Sequence, residues 1–294
     1  MTWGPVIAGV DTSPESAVAA TVAWRIAHAA ETRCYIVHAA ASIADVAAAF
    51  APELVPLDEL KRELRNHARQ SVETALRDRV PPELLNESQV EVWDGKGVWT
   101  LREAIRRHDA GLLVLGGKHH SAIGRWLGGS TAHNAVRLID VPVLITASLP
   151  ESFDRVLVGV DLSHAAVPTL CMADRFAALF DARVRVVHVI EPFPLRQDHH
   201  SPFTRSHLRE SEVYLAGLVS EVDGQWTEPV VRWGHVDEVL SEESTKWGAD
   251  VLVVGSHGHG WVHRALLGST TERLLSHMPT SLVVMPVNEP RLRS

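Results

Sequence analysis

Between residues 255 and 270 the chain reads Gly255-Ser-His-Gly258-His-Gly260-Trp-Val-His-Arg264-Ala-Leu-Leu-Gly268-Ser269-Thr270. The chemistry open to such a run is capture of an anion by main-chain amides. Glycines let the backbone approach phosphate oxygens with no Cβ in the way, and a loop between strand and helix points several N–H groups into one concavity. Gly268-Ser269-Thr270 carries the signals of a helix start, whose unpaired N–H groups and positive dipole end suit a phosphate. The hydroxyls of Ser269 and Thr270 add donors. No lysine stands in the run and no GxxxxGK[ST] occurs, which separates it from a Walker-type phosphate loop. Arg264 is the nearest cation able to face a polyphosphate.

A second run has the same outline: Gly116-Gly-Lys118-His119-His120-Ser-Ala-Ile-Gly-Arg125-Trp-Leu-Gly-Gly129-Ser130-Thr131. Gly116, Gly129, Ser130 and Thr131 answer to Gly255, Gly268, Ser269 and Thr270. His119, however, stands where Gly258 stands. A histidine there puts a side chain where phosphate would approach and resists a left-handed backbone. Lys118 and Arg125 could restore part of the charge. The expectation is a degenerate loop in the first half and a working one in the second.

Other constellations are weaker. The seventeen histidines group as His119-His120, as Asp198-His199-His200 with His207, and as His257, His259 and His263. Metal sites need three or four converging ligands, and neither a Cys pair nor an HExxH motif is present. No metal ligands are assigned, and the segment around His199 and His200 is the first place to look for zinc. Nucleophilic catalysis has no Gly-x-Ser-x-Gly elbow to support it. The carboxylates between Glu238 and Glu243 read as the solvated face of a helix. No catalytic residue is assigned, and any nucleotide hydrolysis would be slow. Trp126 and Trp261 lie inside the glycine loops, where shielding the site, docking a partner and local packing all remain open.

These residues need elements to hold them, and the chain supplies the same elements twice. Pro5-Val-Ile-Ala-Gly-Val-Asp11 recurs as Arg155-Val-Leu-Val-Gly-Val-Asp161, and Arg33-Cys-Tyr-Ile-Val-His38 as Arg183-Val-Arg-Val-Val-His188. Gly111–Gly116 answers to Asp250–Gly255, and Val141–Ile145 to Thr280–Val284. Four matches in one order imply a duplication with its seam near Pro150, hence domains 1–150 and 151–294. Short apolar runs such as Val6–Val10 suit parallel strands covered on both faces. Helices follow them, with Ser13 as an expected N-cap, Pro14 at the first helical position, and Ser163 in the equivalent place. Val18, Val22 and Ile26 form one expected stripe, and Leu170, Phe176 and Leu179 the other. Polar, partly helical connections span 57–79 and 202–221. Third strands are expected at 89–93 and 229–233, and helices at 98–108 and 236–247. Strands alternating with helices at this spacing imply βαβ units and open parallel sheets. Ligands then sit beyond the carboxyl ends of the strands, where Asp11, Asp161 and both glycine runs fall.

A chain of 294 residues with 46% hydrophobic and 22% charged residues can bury two cores. The formal charge of −8 argues against non-specific binding to nucleic acid or to anionic membrane, although backbone amides can still hold an anion locally. The N-terminus lacks the pattern of a signal peptide, and no apolar stretch is long enough to span a bilayer. Cys34 and Cys171 lie in apolar segments and read as reduced core thiols, with the cytosol as the expected compartment.

Gly-x-x-Gly, nine residues, then Gly-Ser is carried by Gly255, Gly258, Gly268 and Ser269. With Val158-Gly-Val-Asp161 and Val186-Val-His-Val189, this resembles the ATP-binding pattern of the universal stress protein family. The resemblance covers nearly the whole chain, twice, and is that of a tandem member. It implies two flavodoxin-like, doubly wound α/β domains whose last strands, Val141–Ile145 and Leu282–Met285, pair as an internal pseudo-dimer. Assembly into a further homodimer is left open. It also implies ATP as ligand, with or without Mg2+. Asp161 would meet the nucleoside, Val189 the base edge, and Gly255, Gly258, Gly260, Gly268, Ser269 and Thr270 the phosphates. Asp11, Gly116, Gly129, Ser130 and Thr131 are the first-half counterparts. The implied role is a stress-response regulator that holds ATP and signals to an unidentified protein partner. A nucleotide-independent scaffold and a slow ATPase or metal-binding protein are the alternatives.

Overall fold

The computed structural model describes residues 3–40, 57–87, 90–117, 131–163, 165–191, 202–256 and 268–286. The described residues fall into two compact units, one ending at Leu149 and the other beginning at Pro150. The first unit runs β1 (Val6–Val10), α1 (Pro14–Ala29), β2 (Cys34–Ala40), α2 (Leu57–Arg77), α3 (Pro82–Glu87), β3 (Val90–Asp94), α4 (Gly97–His108), β4 (Leu112–Gly116), α5 (Thr131–Leu138) and β5 (Val143–Thr146). The second runs β6 (Arg155–Val160), α6 (Ala166–Ala178), β7 (Arg183–Ile190), α7 (Pro202–Ser220), β8 (Val230–Trp233), α8 (Val236–Trp247), β9 (Val251–Gly255), α9 (Ser269–Ser276) and β10 (Ser281–Met285).

Strands of the first unit lie in the order β3-β2-β1-β4-β5, and those of the second in the order β8-β7-β6-β9-β10. Within each unit the described strand pairs are parallel. The apolar runs explain this: Val6, Ile7, Ala8, Val156, Leu157 and Val158 are wholly buried, as parallel strands covered by helices must be. Strand order reverses between β1 and β4 and, in the second unit, between β6 and β9. That reversal opens a crevice beyond the strand tips, because the following helices pack on opposite faces of the sheet.

The register fixes which residues meet there. Gly159 pairs with Val254 and Val160 with His188, so Asp161 and Gly255 emerge side by side and Val189 one strand away. At the opposite end, Oδ2 of Asp250 accepts the N–H groups of Asp154 and Arg155 at 2.8 and 2.9 Å, locking the start of β6 to β9. Gly248 closes α8 with φ of 67°, and a Cβ there would lie 2.9 Å from Nη1 of Arg155.

The helix stripes mostly fall where the periodicity puts them. Val22, Ile26, Leu170 and Phe176 are buried. Val18 and Leu179 are only partly covered. Cys171 is exposed and Cys34 intermediate, so the expectation of two core thiols is corrected. On α6, Leu170, Ala173 and Ala177 face the sheet and turn Cys171 outward. Ser13 precedes α1 in extended conformation with Pro14 next, yet its hydroxyl makes no cap hydrogen bond. The Asp11 carboxylate does the local work instead, accepting the Ser13 N–H at 2.8 Å.

Candidate functional site

The tips of β6, β7 and β9 and the first turn of α9 enclose a cavity of about 640 Å3, a size suited to a small organic ligand. Asp161, Val189, Gly255, Gly268, Ser269 and Thr270 all line it. The topology therefore gathers these six sequence-assigned residues at one place. Gly258, Gly260 and Arg264 lie outside the described residues, as do Gly129 and Ser130 of the first unit.

The start of α9 is held against the tip of β9. Gly268 donates its N–H to the carbonyl of Ser256 at 3.2 Å, and the Thr271 hydroxyl donates to the carbonyl of Gly255 at 3.1 Å. No side-chain hydrogen bond caps this helix. Its opening amides therefore face the cavity with their partial positive charge uncancelled by a capping oxygen.

Asp161 is a polar group of the same lining, at the tip of β6. Its Oδ1 accepts the Ser163 N–H at 3.1 Å. Its Oδ2 is buried and has no hydrogen-bond partner. A buried carboxylate oxygen without a donor costs free energy on the order of 1–3 kcal/mol, and Asp161 is a residue of the cavity lining that carries this cost. The next residue, Leu162, lines the cavity with φ of 60°, a left-handed conformation costly for a branched side chain.

Sequence reasoning missed several lining residues. His188, 9% exposed, donates from Nδ1 to the Val160 carbonyl at 2.8 Å and fixes the strand end that carries Asp161. Its signal was present, since His38 and His188 recur in the repeat, but the repeat gave it no role. His207 and Ser211 reach the cavity from α7, one helical turn apart. The sequence groups His207 with His199 and His200 as the first place to look for zinc, without assigning ligands; those two lie outside the described residues. Val187 and Ile190 give apolar wall, while Glu191 adds a second carboxylate. Among the described lining residues there is no lysine or arginine, so what these residues offer an anion is main-chain dipoles.

The first unit differs at the corresponding place. Oδ1 of Asp11 accepts both the Ser16 hydroxyl and the Ser13 N–H, each at 2.8 Å, and the Ser16 oxygen accepts the Asp11 N–H at 2.8 Å. Gly116 ends β4 against the α1 backbone: a Cβ there would lie 2.8 Å from the Glu15 carbonyl group. Thr131 sits exposed at the start of α5. Carboxylate and strand tip are both engaged by α1.

Duplicated, doubly wound α/β units with a crevice at the point of strand reversal define the fold class of this chain. The model of the universal stress protein family matches residues 2–147 and again 152–286, and the chain belongs to that family. A universal stress protein of Mycolicibacterium smegmatis is similar along its length, 26% identical over 290 residues that cover 95% of this chain and 96% of the relative. The universal stress protein A homolog of Haemophilus influenzae is 26% identical over 142 residues, 47% of this chain and 99% of that protein. Among solved structures, a universal stress protein from Archaeoglobus fulgidus covers 96% of this chain and 98% of its own, with a TM-score of 0.65 at 18% identity. A putative universal stress protein from Pseudomonas aeruginosa has the same TM-score at 14% identity, covering 96% of this chain and 92% of its own.

Proposed function

We propose that the second module is an adenine-nucleotide site, with ATP its preferred occupant, and that the protein acts as a stress-response regulator. The observation that carries this reading is one cavity lined both by Asp161, whose buried Oδ2 has no hydrogen-bond partner, and by an uncapped helix start. The two features want opposite ends of one molecule. Sugar hydroxyls donate to Asp161, and phosphate oxygens accept from the amides that begin α9. The base lies against Val189 and the apolar tip of β7. Gly255, Gly258 and Gly260 let the main chain close on the phosphates, and Arg264 is the side-chain cation assigned to them.

The bound nucleotide is held rather than turned over, since no general base or loop lysine is assigned. Mg2+, where it accompanies ATP, enters with the phosphates. Among the described residues no cluster of three or more His, Cys, Asp or Glu side chains could hold a metal ion. The first module is read as degenerate, because His119 replaces a loop glycine and Asp11 is engaged by Ser16. Among the described residues no helix is long and apolar enough to cross a membrane. We place the protein in the cytoplasm, signalling through an unidentified partner.

The test is titration calorimetry with ATP on the wild-type chain and on Gly258→Asp and Asp161→Ala, with mass spectrometry of nucleotide carried through purification. One bound nucleotide per chain and a loss of at least tenfold in each variant are expected. Equal affinity in all three proteins, or no binding to any, would sink the proposal.

A further inference from the structure

We infer that the outward face of α7 is a docking surface for a basic amphipathic helix of a partner protein; this does not depend on the nucleotide reading of the cavity. Val213 is 75% exposed and its neighbour Tyr214 is 55% exposed, on a helix whose other side is buried through Ser211, Leu215 and Val219. Glu210 comes one turn before this pair and Gly217 one turn after it, so the four share one stripe. A paired, exposed apolar centre of this kind marks an interaction surface. The corresponding helix of the first module, α2, shows the ordinary alternative. Its exposed positions, among them Arg62, Arg65, Asn66 and Arg69, are polar. Among its described side chains no large apolar one is exposed.

Gly217 is not required by the chain's own packing. Its backbone is helical, so no positive φ calls for a glycine, and no atom lies within 4 Å of where a Cβ would stand. A glycine there weakens the helix relative to alanine. What it offers is close approach of a second backbone beside Val213 and Tyr214. The charge around the face decides which helix that is. From residue 206 to residue 223 the exposed charged side chains are Arg209, Glu210, Glu212, Glu221 and Asp223, one cation against four anions. Pairing α7 with a second copy of itself would set mostly acids against acids, which repel. A helix apolar on one side and flanked by lysines or arginines meets both the apolar centre and the acidic rim.

The probe is a fluorescein-labelled helical peptide of leucine and lysine, roughly 18 residues long, with a leucine–glutamate peptide of the same pattern beside it. Fluorescence anisotropy reads binding to the full chain. The lysine peptide should bind with a Kd on the order of 10 μM, and the glutamate peptide at least about tenfold more weakly. Val213→Ser, Glu210→Lys and Gly217→Gln should each weaken the lysine peptide by about fivefold or more. The melting midpoint of Gly217→Gln should meanwhile stay at or above that of the wild type. Glu59→Lys makes the same charge change on the exposed side of α2 and should leave binding as it is. Equal weakening by Glu59→Lys and Glu210→Lys would reduce the effect to general attraction between an acidic protein and a cation, and overturns the inference. Undiminished binding by Val213→Ser or Gly217→Gln overturns it as well. So does a wild type that binds both peptides alike, or neither, as it would if residues of the same chain covered the face. Sedimentation of the wild type as a dimer that Gly217→Gln converts to monomer would give the face to a second copy, and overturns it too.

Discussion

Nδ1 of His188 donates to the carbonyl of Val160 at 2.8 Å, and His38 makes the same bond to Val10 at 2.8 Å in the first module. A carbonyl can only accept, so Nδ1 carries the proton in both. Each bond ties the tip of the second strand to the last residue before the strand-tip aspartate. His188→Leu is expected to cost about 1–2 kcal/mol of stability, the worth of a buried hydrogen bond and its orphaned acceptor. It should also weaken ATP severalfold by loosening Asp161. His188→Asn, whose amide nitrogen can replace Nδ1, should recover most of both. Urea denaturation and calorimetry on the same preparations check the pair of outcomes.

Glu243 is the carboxylate of α8 whose removal should matter. Its Oε1 accepts from Nε of Arg232 at 2.7 Å, and its Oε2 lies 3.6 Å from Nη1 of Arg185, whose guanidinium stands over the Trp247 ring at 4.8 Å. Glu243 is 7% exposed, whereas the Arg232 side chain is 47% exposed, which tempers the pair's strength. Glu243→Ala is expected to lower stability by about 1–3 kcal/mol. Glu242→Gln, on the exposed face, should leave the denaturation midpoint unchanged.

Asp174 gives a pH dependence. Burial, and then the nearby Asp223 carboxylate, raise its pKa above the ordinary range. The folded state therefore holds this proton more tightly than the unfolded chain does. The stability it contributes is complete at low pH and is lost as pH rises through the raised value. Asp174→Asn should melt above the wild type at pH 7, with the difference shrinking towards pH 4. Thermal melts across that range would refute this if the difference stayed constant or changed sign.

Cys171 is exposed, yet partial burial of its sulfur and the neighbouring Asp174 raise its pKa above that of an ordinary thiol. Since the thiolate is the reactive form, alkylation by iodoacetamide at pH 7 should run slower than for free cysteine. Its rate should climb at higher pH, and Asp174→Asn should accelerate it. A rate matching free cysteine would contradict the assignment.

Much of the fold was legible because it is written locally. Continuous apolar runs at β1, β4, β6 and β9, each followed by a helical period, encode buried parallel strands whatever surrounds them. The repeat then made the reading redundant. The candidate site was legible to the extent that its residues sit at strand ends, as Asp161 and Gly255 do. Ser211 escaped notice, and His207 was singled out only beside His199 and His200, because α7 touches the cavity through tertiary packing alone. Glu243 was misread for a related reason. Among the acids of α8 it resembles its neighbours, and its partners Arg185 and Arg232 come from two separate strands.

The sequence by itself determined two copies of one parallel α/β module and the end of each sheet at which the aspartates and glycine runs fall, since both follow from periodicity and spacing along the chain. The tertiary structure decided which strand-tip aspartate keeps acceptor positions open. Asp11 and Asp161 end corresponding strands of the repeat, and the Ser16 hydroxyl, five residues after Asp11, becomes its partner only once strand, turn and helix have closed around it. Hydrogen bonding depends on distances of about 3 Å, which linear spacing does not specify until the backbone is folded.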